Sequence, residues 1–491
     1  MVLKNTPGSK TAVGLALALL VAATALGGCR SVNKPHQTVT SQPQAYEEAP
    51  WLRVQPGEDR ATTTEGRPDD TRHVSPHGIE LGPEATLDDY RLYAALNNRA
   101  LHALYYSWRA ACERGMQAIA PPEPSFRYTE FLEEVETRVG PQERKYALTL
   151  FIPWIEKLSL RAEIADEGAK AAWQRLQAEH LVIDTQLTVA YAEYYFLGRQ
   201  ISITRDNLDL LQRLETVARR SLAVGDENYA DVFQLQTEIG RLEERVSSLT
   251  DMLNPYAARL NAILNRPTET ELPVPTALPE YTSGTDRVDV VRQLETYNPE
   301  LLALEREVEG AAIGKKLAER SYYPDFSFGV ETIGTGSAVP PNTPGSGNDP
   351  WMVMLGVELP VWYGKYRAEE REAEARWLSA RALLSDRRNR LRAALELALY
   401  NRRDAERKIS LYRDTLIPKA REWLRTAETA LRVATKDYDD LIAAQTALLE
   451  FQLLAVRARV DRLKASAEID RNLGRFVVNE TRASRPKEAR K

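Results

Sequence analysis

The side chains that could carry out chemistry are few in this sequence and lie far apart. There are two cysteines and five histidines in 491 residues, and no serine, histidine and aspartate follow the arrangement of a hydrolase. His73 and His77 are four residues apart, but Pro76 between them argues against a helix that would make them metal ligands. Phosphate-binding glycine loops and dinucleotide fingerprints are also missing. We therefore expect no enzyme, no metal site and no cofactor.

Cys29 is the residue whose surroundings indicate a specific reaction. Lys4 and Lys10 precede an apolar stretch over residues 13–26, which runs into Gly27-Gly28-Cys29. This order is typical of a signal peptide ending in a bacterial lipobox, where the cysteine sulfur accepts a diacylglyceryl group. We expect cleavage of residues 1–28 and a palmitate-bearing lipoprotein anchored through Cys29. An ordinary secretory signal with a chance cysteine is the alternative.

Two polar segments flank the body of the chain. Residues 29–83 are rich in Pro, Thr, Gln and Asp, which predicts a flexible leash. Arg30, rather than aspartate, follows the lipobox cysteine and favours sorting to the outer membrane. Residues 477–491 form a basic tail that we expect to be disordered. With Cys29 acylated, Cys112 has no disulfide partner, and we expect it to be a small buried residue.

The composition is that of a helical protein without apolar membrane spans. The chain is 43% hydrophobic and 27% charged, with a net charge of -5. No run of 18 or more apolar residues follows the signal peptide, so no transmembrane helix is expected. A weakly acidic chain without basic clusters in its body is also a poor candidate for nucleic-acid binding.

The body is an internal duplication. Matches occur at an offset that grows from 200 to 209 residues and never resets, which indicates a repeated unit with small loop insertions. We assign a first repeat to 84–265, a crossover linker to 266–285 and a second repeat to 286–476. The matched pairs at offsets 200, 208 and 209 are Asn98/Asn298, Leu101/Leu301, Ala103/Ala303, Leu104/Leu304, Pro124/Pro324, Phe126/Phe326, Lys157/Lys365, Ile201/Ile409, Ser202/Ser410, Arg205/Arg413, Asp206/Asp414, Leu208/Leu416, Ala218/Ala427, Leu222/Leu431, Val224/Val433, Tyr229/Tyr438, Asp231/Asp440 and Gln236/Gln445.

Each repeat contains a long helix with a seven-residue apolar rhythm, which predicts a coiled-coil seam. Helices over 157–222 and 365–431 would each be about 100 Å long, too long for an ordinary globular domain. In the second seam Arg402 is the one violation. The seam positions are Ile183, Leu187, Ala190, Tyr194, Leu197, Ile201, Thr204 and Leu208, then Leu391, Leu395, Ala398, Arg402, Ala405, Ile409, Tyr412 and Leu416.

Each repeat also contains two strands with period-two alternation, at about 125–133 and 145–152, then 325–333 and 351–359. One apolar face and one mixed face suit a transmembrane β-strand; a small soluble sheet that caps the helices is the alternative. The loop over 334–350 is rich in Gly, Pro, Ser and Asn, as an extracellular loop would be. Each second strand ends at a proline, Pro153 or Pro360, beside Trp154 or Trp362. Tryptophan suits a membrane interface, and core packing is the alternative.

Four strands in lipid cannot remain an open sheet, because unpaired backbone groups are costly there. If the strands span the membrane, the chain must therefore oligomerise. Two copies would give eight strands, filled by side chains, whereas three would give twelve strands and room for a channel.

Residues 90–476 resemble the TolC family of outer-membrane efflux proteins in its lipid-anchored branch. The duplicated layout carries the resemblance together with Asn298-Pro299-Glu300-Leu301, Tyr323-Pro324-Asp325-Phe326, Leu359-Pro360 and Leu264-Asn265-Arg266-Pro267. The resemblance implies a mainly α chain of duplicated antiparallel helical hairpins that form an α-barrel in the periplasm. It also implies four transmembrane strands per chain and a 12-stranded barrel as a homotrimer. The implied function is the outer-membrane exit duct of a tripartite efflux or type I secretion system.

The resemblance further implies partners and contact residues. The partners are a periplasmic adaptor and an inner-membrane transporter, which we expect to be of the RND type. The adaptor would bind the turns between the long helices, Val224-Gly225-Asp226 and Val433-Ala434-Thr435, where the family often has glycine and Ala434 departs from it. Asp231 and Asp440 are candidates for an acidic ring at the entrance; a solvated acid at a helix start is the alternative.

Two other functions fit the lipobox and the helices. A periplasmic adaptor would have one helical hairpin flanked by glycine-rich β domains, whereas this chain has two hairpins in tandem. A structural coiled-coil lipoprotein would not need paired period-two strands.

Overall fold

The computed structural model describes residues 81–223, 229–279, 287–339, 342–432 and 438–476. The described chain is mostly helical with one small antiparallel sheet, which confirms the predicted fold class at that level. The signal peptide, the lipobox, His73, His77 and the basic tail lie outside the described residues. The elements in chain order are α1 Leu87–Asn97, α2 Arg99–Ile119, β1 Ser125–Val135, β2 Gln142–Ile152, α3 Ile155–Ala223, α4 Tyr229–Asp251, α5 Leu253–Ile263, α6 Arg287–Tyr297, α7 Pro299–Arg320, β3 Asp325–Thr335, β4 Trp351–Glu358, α8 Tyr363–Leu411, a π-helical turn Tyr412–Leu416, α9 Ile417–Arg432 and α10 Tyr438–Leu473.

The described residues belong to two compact units. One unit contains 106–173 and 303–384, and includes all four strands. The other contains 81–105, most of 174–302 and the described residues from 385 onwards, and its regular secondary structure is helical.

The two repeats have matching elements. Helix α1 begins and ends at residues 87 and 97, and α6 begins and ends 200 positions later. Strand β1 and strand β3 start at 125 and 325 and are both 11 residues long. Helix α4 and helix α10 begin at Tyr229 and Tyr438, after the two breaks between long helices.

A pair of equivalent asparagines fixes the same corner in each repeat. The Asn98 side-chain oxygen accepts hydrogen bonds from the backbone N–H groups of Ala100 and Leu101, which caps the start of α2. Its amide nitrogen donates to the Ile263 carbonyl at the end of α5, at 2.9 Å. Asn298 caps α7 in the same way and donates to the Asn472 carbonyl at the end of α10, also at 2.9 Å.

The helices that meet these asparagines end in left-handed residues. Asn265 has φ 56° after α5, and Gly474 has φ 70° after α10. In both places the next N–H, of Arg266 or Arg475, reaches back to a helix carbonyl at 2.9 Å, as in a Schellman-type cap. The backbone geometry of the corner is therefore duplicated although the left-handed residue differs.

The predicted seams are buried to different extents. In α3, seven of the eight seam positions are buried and Leu208 is half-buried. In the second repeat Leu391, Leu395, Ala398 and Ala405 are buried, whereas Ile409, Tyr412 and Leu416 are half-buried. Arg402 is accommodated as a half-buried side chain whose guanidinium pairs with Glu406 at 3.0 Å.

A π-helical turn separates α8 from α9. It covers Tyr412–Leu416, and the Ile417 N–H donates to the Tyr412 carbonyl five residues earlier. Pro418 follows immediately and has no N–H for the carbonyl of Asp414. Helix α3 shows no such turn over its 69 residues.

Helix α10 is apolar enough to qualify as a membrane span by length and composition, with a window of mean hydropathy 1.3. Charged residues interrupt it, so the sequence contains no uninterrupted apolar run there. Leu441, Val460 and Leu463 are fully or almost fully buried in a core that also contains Tyr195 and Leu211 of α3. Packing between helices therefore accounts for part of the apolar character of α10.

Candidate membrane-spanning sheet

The four strands form one antiparallel meander in the order β1-β2-β3-β4. The central ladder is the longest, from Gln142 opposite Thr335 to Ile152 opposite Phe326. The outer ladders include Ser125 opposite Thr149 and Asp325 opposite Glu358. Strands β1 and β4 are therefore the two edges of the sheet.

One face of the sheet, called here the apolar face, has large apolar side chains along all four strands. Residues directly opposite each other in a ladder share a face, so the pairing defines its membership. Leu355 is 81% exposed and Phe126 is 67% exposed, although both are large and apolar. Glu130, Arg144 and Thr332 also belong to this face, toward the β1–β2 turn. Its large apolar members are Phe126, Tyr128, Tyr146, Leu148, Leu150, Ile152, Phe326, Phe328, Val330, Trp351, Val353, Leu355 and Val357.

The opposite face, called here the polar face, has a different chemistry. Lys145 on β2 pairs with Glu331 on β3 at 2.5 Å, and Glu331 is only 7% exposed. Met352 and Met354 are the large apolar members from β4. Polar or charged side chains make up most of the rest: Ser125, Arg127, Thr129, Lys145, Thr149, Asp325, Ser327, Glu331 and Glu358.

One carboxylate ties the base of the sheet to the long helix. Asp325, the first residue of β3, accepts hydrogen bonds from the Trp154 backbone N–H at 2.8 Å and from the Lys157 ammonium at 2.9 Å. The same ammonium donates to the Tyr323 carbonyl at 2.8 Å. These bonds fix the direction in which β3 enters the sheet relative to the start of α3.

Aromatic side chains lie at both ends of the strands. Trp154 packs against Tyr323 with ring centroids 5.1 Å apart, while Trp362 is 73% exposed. Toward the other end Trp351, the first residue of β4, is 41% exposed, and between the ends Tyr128 contacts Tyr146 with centroids 5.3 Å apart. Trp154 therefore packs against neighbouring rings, as in the core-packing interpretation, whereas Trp362 has an exposed ring at the end of a strand.

Most predicted contact residues fall outside what the structure describes. The turns Val224-Gly225-Asp226 and Val433-Ala434-Thr435, and Cys29, lie outside the described residues. Asp231 belongs to α4, with its side chain outside the described part. Asp440 is described: it is exposed in the first turn of α10 and accepts a hydrogen bond from the Trp423 indole at 3.2 Å. Cys112 is half-buried rather than buried, and burial is the main cause of its raised thiol pKa.

A buried group of charges was missed from the sequence. Arg91 on α1 binds Asp184 on α3 through two hydrogen bonds of 2.6 and 3.2 Å. Burial raises the pKa of Asp184, against the lowering effect of Arg91. Burial also raises the pKa of Asp470 on α10 to about 6, although Arg475 and Arg91 oppose the shift. Only Arg402, as a charge within an apolar seam, signalled this group in the sequence.

The described part of the chain contains no group of three or more His, Cys, Asp or Glu side chains placed to hold a metal ion.

Comparison with known proteins finds a matching family model and solved structures with a similar fold. Residues 290–475 match the outer membrane efflux protein family. The fold is similar to that of VceC from Vibrio cholerae, with 17% identity, coverage of 79% of this chain and 96% of VceC, and a TM-score of 0.66. CusC gives 15% identity, 81% and 96% coverage and a TM-score of 0.67. The open-state outer membrane channel MtrE from Neisseria gonorrhoeae is also similar, with 16% identity, coverage of 79% of this chain and 89% of MtrE, and a TM-score of 0.63. No curated protein matches in sequence.

Proposed function

We propose that this chain, whose residues 290–475 belong to the outer membrane efflux protein family, is the outer-membrane exit duct of a tripartite efflux pump. The observation that carries the proposal is the exposed apolar face of a sheet with two open edges. Water would oppose the exposure of ten of the thirteen apolar side chains on this face, the other three being half-buried, whereas a bilayer favours it. The polar face would then line a water-filled channel.

Three copies make a duct of the required size. Each copy contributes four strands, so three copies close a barrel of twelve and pair every edge. Eight strands from two copies would be filled by their own side chains. The homotrimer also gives the long helices α3 and α8 identical neighbours around a periplasmic tunnel.

Lipid attachment at Cys29 would complete the membrane association. The lipobox supports it, and Arg30 favours delivery to the outer membrane. Residues 29–83 would then be the leash between the acyl chains and the body. Metabolic labelling with a tagged palmitate should mark the wild type and not Cys29→Ser; equal labelling would exclude this anchor.

The duct would connect to a periplasmic adaptor and an inner-membrane transporter of the RND type. The turns at 224–226 and 433–435 would contact the adaptor, because they join the ends of the long helices. Asp231 and Asp440 would form an acidic ring near the entrance in the trimer. Replacing both with asparagine should reduce cation selectivity in single-channel recordings, and unchanged selectivity would remove them from the entrance.

Planar-bilayer recording and native mass spectrometry in detergent test the duct. We expect trimers that conduct ions. Leu148→Arg places a charge on the apolar face, which costs about 2–4 kcal/mol at the bilayer midplane, and should prevent insertion. Thr149→Arg, the adjacent residue on the polar face, is the matched control and should insert normally.

Three results would contradict the proposal: a stable monomer, absence of conductance, or equal insertion of the two variants. An adaptor or a structural coiled-coil lipoprotein would give no conductance in this assay.

A further inference from the structure

The two edge strands carry opposite charges on the same face. Arg127 lies on β1 and Glu358 lies on β4, and both belong to the polar face. Both side chains are exposed, and neither has an ion pair within the described part of the chain. The other polar-face cation of the strands, Lys145, is already paired with Glu331. An unpaired cation at one edge and an unpaired anion at the other are complementary between copies of the chain.

The duplication supplies a template for how the edges meet. Strand β2 of the first repeat pairs with β3 of the second repeat, and Ile152, just before Pro153, is opposite Phe326. In the duplication Leu359, just before Pro360, corresponds to Ile152, and Phe126 corresponds to Phe326. The junction between two copies would repeat the junction between two repeats, with Leu359 opposite Phe126.

We propose that β4 of one copy pairs with β1 of a second copy in the register that places Glu358 opposite Arg127. In the antiparallel ladder that places Leu359 opposite Phe126, the next pair is Glu358 and Arg127. The two opposite charges therefore meet on the polar face. Directly opposite charges in an antiparallel pair stabilise it. On the apolar face the same register places Val357 opposite Tyr128, a β-branched and an aromatic residue.

Competing registers lose these pairs. A shift by one residue would turn the apolar face of one copy toward the channel. The β1–β2 ladder and the β3–β4 ladder are equivalent in the duplication, but their registers differ by two residues. Ser125 lies opposite Thr149, whereas Asp325 lies opposite Glu358. If the junction between two copies were shifted by the same two residues, Glu358 would lie opposite Thr129 and Arg127 would lose its partner. A shift of two in the other direction would place Glu358 opposite Ser125.

Cysteine cross-linking distinguishes the three registers. The proposal rests on the trimeric duct, so trimers are first counted by native mass spectrometry in every variant. In a Cys112→Ser background, Arg127→Cys with Glu358→Cys is compared with Thr129→Cys/Glu358→Cys and Ser125→Cys/Glu358→Cys, in isolated membranes with a mild oxidant. Opposite residues lie within disulfide reach and diagonal ones about 7–8 Å apart, so we expect about five-fold or more covalent trimer from the 127/358 pair.

The outcomes separate the register from the duct. Intact trimers that cross-link better through 129/358 or 125/358, or through none of the three pairs, overturn the register and leave the duct. Monomeric protein overturns the duct itself.

Charge exchange provides a second measurement without cysteines. Arg127→Glu places two carboxylates opposite each other and should lower the temperature at which the trimer dissociates on gels. Adding Glu358→Arg should restore that temperature. Failure of the double variant to recover, with folded trimers present, would also overturn the pairing.

Discussion

The two repeats place different residues at an equivalent buried position, and the difference has a measurable consequence. Asn261 and Asp470 lie 209 residues apart, five residues before Arg266 and Arg475 respectively. Asn261 is neutral and donates to the Thr270 carbonyl at 2.7 Å. Asp470 is a carboxyl group that burial holds at a pKa of about 6, well above the usual value of about 3.9.

This shift predicts that Asp470→Asn stabilises the protein at neutral pH. Above about pH 6 the folded state bears the cost of a buried charge, and below about pH 4 Asp470 is protonated in both states. The free energy of unfolding should rise by about 1–3 kcal/mol at pH 7.5, and this increase should disappear on acidification. The measurement is the Tm of the solubilised trimer for both proteins between pH 4 and 8.

The Tm of Asp470→Asn is compared with that of the wild type at each pH, because other groups titrate in the same range. Burial lowers the pKa of His180 to about 4, so acidification destabilises the fold through His180 while it relieves Asp470. Both proteins contain His180, so its effect cancels in the difference. A Tm difference that is independent of pH would contradict the raised pKa of Asp470.

At this scale the sequence indicates which residues recur but not what they bind. Asn98 and Asn298 are found as matched residues, and only the structure shows that each clamps the end of its own repeat. Arg402 is visible as an error in the apolar rhythm. Its partner Glu406 is four residues away and predictable, but its electrostatic effect on Asp470 depends on tertiary packing.

At the scale of elements, the growing offset between the repeats has a structural counterpart. Leu208 and Leu416 differ by 208 positions, whereas the buried residues Leu211 and Ala420 differ by 209. One residue is therefore inserted after Leu416, the last residue of the π-helical turn, and before Ala427; we assign it to Pro418, which has no N–H to donate in a regular α-helix. A single inserted residue rotates the rest of a helix by about 100°, and a π turn absorbs that rotation. The offset was available in the sequence, but its expression as a π turn was not.

Deletion of Pro418 should therefore be tolerated. The shortened segment matches the length of 208–211 and regains the missing N–H, so α8 and α9 should join as one α-helix with Ala420 and Ala427 still buried. Deletion of the exposed Asp209 in α3 is the matched control, because α3 has no inserted residue to lose. We expect wild-type yields of heat-modifiable trimer for the first deletion and loss of trimer for the second. Equal loss for both would show that the π turn is not the site of the insertion.

At the scale of the whole molecule, the sequence predicts an assembly of several copies, because the strands of one chain alone would leave two sheet edges unpaired in lipid. The apolar rhythm of the strands, their number and the cost of open edges in lipid lead to a closed barrel of several copies. The sequence does not specify which residues of the two edges pair, because each strand alone fits several registers. That information required the ladder between β2 and β3.

The contact with the adaptor belongs to the same scale and gives the last prediction. Helix α3 ends at Ala223 and α4 begins at Tyr229; α9 ends at Arg432 and α10 begins at Tyr438, so both breaks have the same length. The first break contains Gly225 where the second contains Ala434. Glycine permits left-handed backbone that a bulky residue does not, so Gly225→Trp should abolish pump-dependent export while trimer and insertion persist. Ala434→Gly, the reciprocal change, should be mild. Export is measured in a strain lacking the native gene, with heat-modifiable trimer assayed on the same cells, and full export by Gly225→Trp would place the adaptor contact elsewhere.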